Sequence, residues 1–564
     1  MTSFNVAEFR KKFPLIEMLE RKHQSIYFDN AATTQKFDAV IDAAKTYYAT
    51  QNANVHRGSH MLSAQATVAY ELARENVRQF IHGKDVAEII WSKGTTEAIN
   101  MVASSLGEQI VERGDDIVVS AAEHHANIVC WQQLALKKGA NLVVLPVNKQ
   151  GIIDIAQATC LITDKCRILA VHHISNVVGK INDIKTLIDI GHQHGAKVLI
   201  DGAQAIAHVN VDVQQLNCDF YVFSGHKLFA PTGIGVLYGK RELLESMPPY
   251  QFGGEMIKQV SFKQTTFNEL PHKFEAGTPN IAGVLGLSTA ITELGHSQNF
   301  TDYESQLAVY LHQQLTSLAK LTPLFADAPD IPLLSFVIDG IHHQDVASFL
   351  DSKGIAVRAG HHCAMPLLAG MGLQGSVRVS LAPYNSMSEI DRLLAALKAC
   401  IEADGNLQQA DSSDVDWTKT DTKSSVTHDK PFDFVSEADV LAEFSDANSW
   451  DKKHRVIMLL SKRLHRLDKQ RRSDDILISG CESNAWLDVV KYNDRFYFIG
   501  DSDARLIRGL MVVILSQFQG KTAVQIQKTK VPEFFQSLGL MQHLSPSRGN
   551  GVRAIVDSVY TLIG

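Results

Sequence analysis

Between residues 28 and 240, short runs of β-branched and aromatic residues alternate with helical patterns, which restricts the chain to few folds. "AEIIWS", "DIVVSA", "NLVVLPV", "RILAVHHIS", "AKVLIDG" and "CDFYVFSG" read as buried strands. Stretches between them, such as "TLIDIGHQHG", carry the apolar period of crossover helices. The pattern predicts an α/β protein with a large parallel sheet covered on both faces. From about 280 to 403 the pattern is mixed. Helical "YESQLAVYLHQQLTSLAKL" and "SEIDRLLAALKACIEA" accompany strand-like "LLSFVID" and "SVRVSLA", as expected of a smaller α/β lobe.

The chain has 564 residues, too many for one core, and its composition shifts sharply once. "DGNLQQADSSDVDWTKTDTKSSVTHDKPFD" is rich in Ser, Thr and Asp and almost free of apolar periodicity, so 404–431 reads as a flexible linker. This predicts one domain over 1–403 and another over 432–564. The second contains "RFYFIGDSDARLIRGLMVVILSQFQG", a strand, a turn and an apolar helix. A net charge of −7 argues against a dedicated nucleic-acid binder. The basic run "KRLHRLDKQRR" (462–472) lacks interleaved aromatics and reads as a solvated helix face. No apolar run has the length of a membrane span, and the N-terminus has no signal-peptide core. Seven scattered cysteines without a C-x-x-C pair suggest neither a disulfide framework nor a structural zinc. The expectation is a cytoplasmic protein with no membrane, nucleic-acid or metal partner.

Ligands of open α/β sheets collect at the carboxyl ends of strands. There "KVLIDGAQA" places Asp201 and Gln204, and "DFYVFSGHKLFAPTGIG" places Ser224, His226 and Lys227. Thr95 and Thr96 of "SKGTTEAIN" stand at an apparent helix N-terminus, where amides and hydroxyls can hold a phosphate. A lysine that bonds the cofactor and an aspartate at its ring nitrogen are what pyridoxal phosphate needs from a protein. Singly, each residue has a plainer reading: a helix cap for Asp201, a surface amine for Lys227, a capped turn for Thr95. Their ordered combination favours the cofactor. "RAGHHCAMP" (358–366) sets Cys363 behind two histidines, as a metal ligand, a buried thiol or a nucleophile. Cys481 of "ISGCESNAWLD" reads as a thiol in a polar loop.

The motifs "DNAATTQ", "NVHRGSHMLSAQAT", "GTTEAIN", "EHHANIV", "HHISNVVG", "DGAQA", "FSGHKLFAPTGIG", "FEAGTPN" and "RAGHHCAMP" resemble, in collinear order over residues 1 to about 403, those of the SufS-type (class II) cysteine desulfurases of pyridoxal-phosphate fold type I. The resemblance implies that Lys227 carries the cofactor, Asp201 meets its pyridine nitrogen, Gln204 its phenolate oxygen, and His124 stacks on the ring. Thr96, Ser224 and His226 are then phosphate ligands, joined by Thr278 from the second subunit of a homodimer. Asn176 and Arg378 hold the carboxylate of L-cysteine, with Arg358 beside them. Cys363 becomes the sulfur acceptor, since cationic neighbours favour a thiolate. Phe252 in "QFGGEM" stands where the family usually has glycine. Over roughly 432–564, "ISGCESNAWLD", "GDSDARLIRGL" and "LGLMQHLSPSRGNG" resemble a SufE-type α+β sulfur acceptor. There Cys481 takes the sulfur, Ala485 replaces a more usual valine, and Arg505, Arg508 and Arg548 support the loop or a docking face. The resemblance thus implies a fused donor and acceptor that turns L-cysteine into L-alanine and serves iron–sulfur scaffold proteins. A selenocysteine lyase, a C–S lyase and an inactive assembly scaffold remain the alternatives.

Overall fold

The computed structural model describes residues 4–23, 25–296, 300–412, 431–479, 483–541 and 546–563. They form two compact units, residues 1–336 with 361–392 and residues 337–360 with 393–564.

Seven strands build the main sheet of the first unit: β1 (Ile89–Ser92), β2 (Asp116–Ser120), β3 (Asn141–Leu145), β4 (Cys166–His172), β5 (Lys197–Asp201), β6 (Phe220–Ser224) and β7 (Gly235–Gly239). Their order is β1-β7-β6-β5-β4-β2-β3. Alternate residues enter opposite cores. Val118, Leu169, Val198, Tyr221 and Val236 face one layer, while Ile117, Ile168, Leu199, Phe220 and Leu237 face the other. Six of the expected strands form, but the sheet is not wholly parallel. β7 runs antiparallel to both β1 and β6. The short connection from β6 holds only a single helical turn, Gly225–Lys227, and lacks the crossover helix that a parallel neighbour requires. "NLVVLPV" also departs from expectation, because β3 is an edge strand of which only Leu145 is buried.

The helices that matter below are α1 (Met61–Phe80), α2 (Thr95–Val102) and α3 (Ala126–Lys138). An exposed antiparallel hairpin, β8 (Ile257–Val260) and β9 (Thr265–Phe267), follows the main sheet. In the smaller lobe, β10 (Leu321–Pro323) neighbours β11 (Leu333–Ile338), which pairs antiparallel with β12 (Ser376–Ser380) from Leu333↔Ser380 to Phe336↔Val377.

The second unit contains the lobe helix α4 (His343–Ser352) and the helix α5 (Met387–Ser412) from Leu393 onward. α5 continues past the boundary drawn at residue 403, through the helix formers Leu407, Gln408, Gln409 and Ala410 to Ser412, and 413–430 of the expected linker lie outside the described residues. Beyond it, β13 (Ala485–Tyr492) and β14 (Arg495–Ser502) form an eight-residue antiparallel ladder. Ala485 is fully buried at its start. Helix α7 (Arg505–Leu515) buries nearly its whole length and packs on α6 (Trp450–Leu460). The helices meet so closely at Gly509 that a Cβ there would lie 2.1 Å from the carbonyl oxygen of Ile457.

The basic run at 462–472 is not a helix face. It is broken into short turns, and Arg466 and Arg472 both pair with Asp501, whose side chain has no exposure. A carboxylate so buried needs counter-charges, which explains the cluster. Among the described residues no helix is long and apolar enough to cross a membrane.

Candidate active site

Thr95 opens α2, and its amide donates to Ser224 Oγ at 2.8 Å, with the two hydroxyls also 2.8 Å apart. The ends of β1 and β6 are thereby joined. Gly94 makes this possible: its φ is +154°, and a Cβ there would stand 3.1 Å from Ser224 Oγ. Thr96 is exposed next to this buried pair. His226 and Lys227 follow on the turn after β6, both half-buried. The His226 carbonyl accepts from the amide and hydroxyl of Thr34 (3.1 Å each) and from Lys36 Nζ (2.9 Å). Burial, with the charges of Lys227 and Lys36, pushes His226 down to about 4, and burial pushes Lys36 down to about 7. Three basic groups held this near one another, with burial working against their charge, favour a bound anion such as phosphate.

Asp201 ends β5 with 4% exposure, and its Oδ1 accepts the Ala203 amide at 2.9 Å. Burial raises its pKa, against the pull of Lys227. A carboxylate removed from water asks for a cationic neighbour, and a protonated ring nitrogen meets that need. Gln204 donates to the Ala31 carbonyl at 2.9 Å. His124 precedes α3, where its Nδ1 accepts the Ala126 amide at 3.1 Å. Acid, amine, imidazole and clustered basic groups together fit pyridoxal phosphate.

Cys363 lies in the loop between Arg358–Gly360 and Met365–Gly370. His362 and Cys363 take φ of +52° and +57°, a left-handed pair that only outside anchoring sustains in non-glycine residues. Anchors are present. The His125 amide donates to the Cys363 carbonyl at 2.7 Å, and Asn176 Nδ2 donates to the His362 carbonyl at 2.6 Å. His125 Nε2 in turn accepts the Met365 amide at 3.0 Å. Arg378, 2% exposed on β12, donates to the Asn176 carbonyl and pairs with Asp29, each at 3.0 Å. Cys363 is half-buried, while burial pushes Cys130, Cys166 and Cys218 up to about 12. Those three thiols stay protonated at neutral pH.

Thr95, Thr96, His124, Asn176, Asp201, Gln204, Ser224, His226, Lys227, Thr278, Cys363 and Arg378 all belong to the first unit. Thr278 is exposed just before helix Ile281–His296. Arg358 belongs to the second unit, as do Arg505, at the start of α7, and Arg508, which donates to the Ser502 carbonyl at 2.8 Å. Cys481 and the Arg548 side chain lie outside the described residues. Phe252 is 71% exposed beside Phe267. Sequence reading passed over Asp29 and His125, polar residues inside the quoted motifs, and Lys36, which directly follows "DNAATTQ". One trio among the described residues has metal-ligand spacing, His56, Glu71 and His272. Its carboxylate is already taken by His56 (2.9 Å) and Arg74 (3.0 Å).

Residues 26–393 match the class-V aminotransferase family, and residues 438–563 match a domain described as Fe-S metabolism associated. The chain belongs to the class-V aminotransferases. Within that family it is 48% identical to a probable cysteine desulfurase of Vibrio cholerae over 71% of this chain and 99% of the relative. It is 47% identical to a cysteine desulfurase of Salmonella agona over 70% and 98%. The structure is similar to the cysteine desulfurase CsdA from Escherichia coli in its S-sulfonic acid form (TM-score 0.66, 43% identity, 71% of this chain and 100% of that one). It is also similar to an apo cysteine desulfurase from Thermococcus onnurineus (TM-score 0.67, 36% identity, 72% and 100%). The class-V aminotransferase domain thus has the fold-type-I architecture expected from sequence, with a mixed main sheet, and a separate SufE domain follows it along the chain.

Proposed function

We propose that this protein is a pyridoxal-phosphate-dependent cysteine desulfurase that carries its own sulfur acceptor: it converts L-cysteine to L-alanine and passes the sulfur from Cys363 to Cys481. The observation that carries the reading is the anchoring of the Cys363 loop. Its two strained residues are tied to His125 and Asn176, neighbours of the cofactor-side His124 and the carboxylate-side Arg378. When bound, the cofactor is the electron sink that lets a proton leave the substrate's α-carbon. Lys227 would carry it and, once the substrate's amine had displaced that bond, its freed Nζ would take the proton; Asp201 would face the ring nitrogen, Gln204 the phenolate oxygen and His124 the ring face. Thr95, Thr96, Ser224 and His226 hold the phosphate. Asn176, Arg378 and Arg358 bind the substrate carboxylate. Cys363 Sγ then attacks the substrate sulfur. An S–S bond forms as the Cβ–S bond breaks, the released electron pair stays with carbon, Cβ takes a proton to become the methyl of alanine, and Lys227 Nζ returns a proton to Cα. Cys481 attacks the outer sulfur of the Cys363 persulfide and returns Cys363 as a thiol.

Matches at 26–393 and 438–563 support a desulfurase module at 1–403 and an acceptor module at 432–564, joined by 404–431. Inside the second unit the lobe helix and the acceptor are joined by the buried carboxylate of Asp345, which accepts the amides of Arg505 and Leu506 at 2.8 Å each, at the start of α7. A homodimer supplying Thr278 in trans is supported by the apolar exposure of Met61, Val68 and Leu72 on α1 and of Phe262 in the hairpin. Thiol chemistry of this kind suits a reducing cytoplasm, with iron–sulfur scaffold proteins as the final acceptors.

The test is to assay alanine from L-cysteine while mapping persulfides by mass. The reading requires alanine in step with sulfur on Cys363 and then on Cys481. Pyruvate with free sulfide and no persulfide would mark a C–S lyase instead.

A further inference from the structure

Behind Asp201 lies a buried polar chain that none of the steps above uses. His172 ends β4 opposite Asp201 at the end of β5, paired in register on parallel strands. Glu123 follows β2 and has no exposure. Its Oε1 accepts the Ser120 hydroxyl (2.6 Å) and the His172 amide (3.0 Å) and lies 2.7 Å from His172 Nδ1; its Oε2 accepts Asn127 Nδ2 (2.8 Å). Asn127 is itself fixed by the Trp131 indole at 2.9 Å. So heavily bonded a carboxylate is ionised, and it accepts from Nδ1. The imidazole is therefore locked in one orientation. His172 is 3% exposed, and its Nε2 is buried with no hydrogen-bond partner among the described residues. An orphan donor in that position is costly unless a nearby charge makes use of it.

We propose that Glu123 and His172 form a positioning pair that keeps the Asp201 carboxylate charged, so that Asp201 in turn keeps the cofactor's ring nitrogen protonated. The inference rests on the assignment of Asp201 given under Proposed function. Charge arithmetic supports it. Burial drives Asp201 toward its neutral acid, and Glu123 adds to that drift, whereas the Ala203 amide and the charges of Lys227 and His172 oppose it. Once Lys227 is engaged with the cofactor, its full charge no longer serves Asp201. His172 is left as the fixed cation. Burial would strip its proton, but Glu123 and Asp201 together outweigh burial and the net shift is upward. Glu123 moves down: burial raises it, and His172 together with the hydrogen bonds from Ser120 and Asn127 more than reverses this. The result is a line of alternating charge, Glu123 negative, His172 positive, Asp201 negative, ending at a ring nitrogen that is then positive.

The experiment loads the full-length enzyme with cofactor labelled with nitrogen-15 in its ring and reads the nitrogen resonance at pH 7.5. Wild type should give the protonated signal. His172→Gln removes the cation and Glu123→Gln the carboxylate that maintains it, and both keep polar side chains of similar size. In each variant the resonance should move toward the unprotonated value, and cofactor affinity should fall about tenfold, the equivalent of one unit of pKa. The kcat should fall while KM for L-cysteine stays within about twofold, since Asn176 and Arg378 are untouched. Thermal melting of the cofactor-free variants reports folding independently, and if one variant does not fold the other still decides the matter. Asp201→Asn is the reference. If it leaves the resonance protonated, the assignment of Asp201 falls. If it shifts the resonance while His172→Gln and Glu123→Gln do not, the positioning pair alone is overturned.

Discussion

At the scale of single residues, the proposed chemistry is divided between Cys363 and Lys227, and substitution separates the two halves. Cys363→Ser should bind cofactor and substrate yet form no persulfide, because serine cannot accept sulfane sulfur. Absorbance of bound cofactor should be unchanged while alanine formation without added thiol is abolished. Undiminished alanine from that variant would refute the role of Cys363. Lys227→Ala should lose covalent attachment of the cofactor and slow turnover by roughly 10² to 10⁴ if noncovalent binding persists. Borohydride fixation followed by peptide mapping reads the attachment directly. Lys36 offers a pH signature. Folding lowers it to about 7, whereas the unfolded chain keeps its proton to about 10.5. Between these values the folded state binds fewer protons, so this group makes stability rise with pH across that window. Lys36→Met should flatten the rise between pH 7 and 9.5 in chemical denaturation of the apoenzyme. Parallel curves would mean that folded Lys36 keeps its proton. The strand-end residues Asp201 and Ser224 were legible in sequence because polar residues abruptly close apolar runs. Glu123 and His172 were not, since their role depends on which strand ends lie side by side, and only the sheet order supplies that.

At the scale of elements, strands and helices were legible wherever periodicity was strong, and what escaped was direction. Strand β7 lies in "GIGVLYG", too short and glycine-bounded to announce itself, and only the absence of a crossover helix makes it antiparallel. In the C-terminal domain the apolar run of α7 was plain, but the closeness of its partner was not. Gly509 lets α7 touch the backbone of α6. Gly509→Ala must push the helices apart and should cost about 1–3 kcal/mol, confined to the C-terminal core. The measurement is calorimetry of the intact chain with cofactor bound. A C-terminal transition should move down while the transition of the cofactor-binding unit stays in place. A variant that melts like wild type would mean that the two helices can part without loss.

At the scale of the whole molecule, the fusion matters because a persulfide is relieved only by thiolate attack on its outer sulfur, so local thiolate concentration sets the rate. With the acceptor on the same chain, that concentration is on the order of millimolar, whereas a separate acceptor is present only at its bulk value. The Asp345 contact at the start of α7 adds to this by holding the acceptor to the lobe within the second unit, independently of the peptide connection. Connection and contact make separable predictions. At micromolar enzyme and low reductant, the intact chain should keep its specific activity on dilution. A chain cut between 413 and 430 should hold activity at high concentration and lose it on dilution, and Asp345→Ala should steepen that loss about tenfold in the cut form while barely affecting the intact one. Cys481→Ser should be slow at every concentration, filling Cys363 once and then waiting on external thiol. The readout is alanine per enzyme over a dilution series, with the persulfide on Cys363 trapped at each point. Coincident curves for intact, cut and Cys481→Ser enzymes would remove Cys481 from the pathway. A steep loss in the cut enzyme that Asp345→Ala does not change would instead assign the gain to the covalent connection alone.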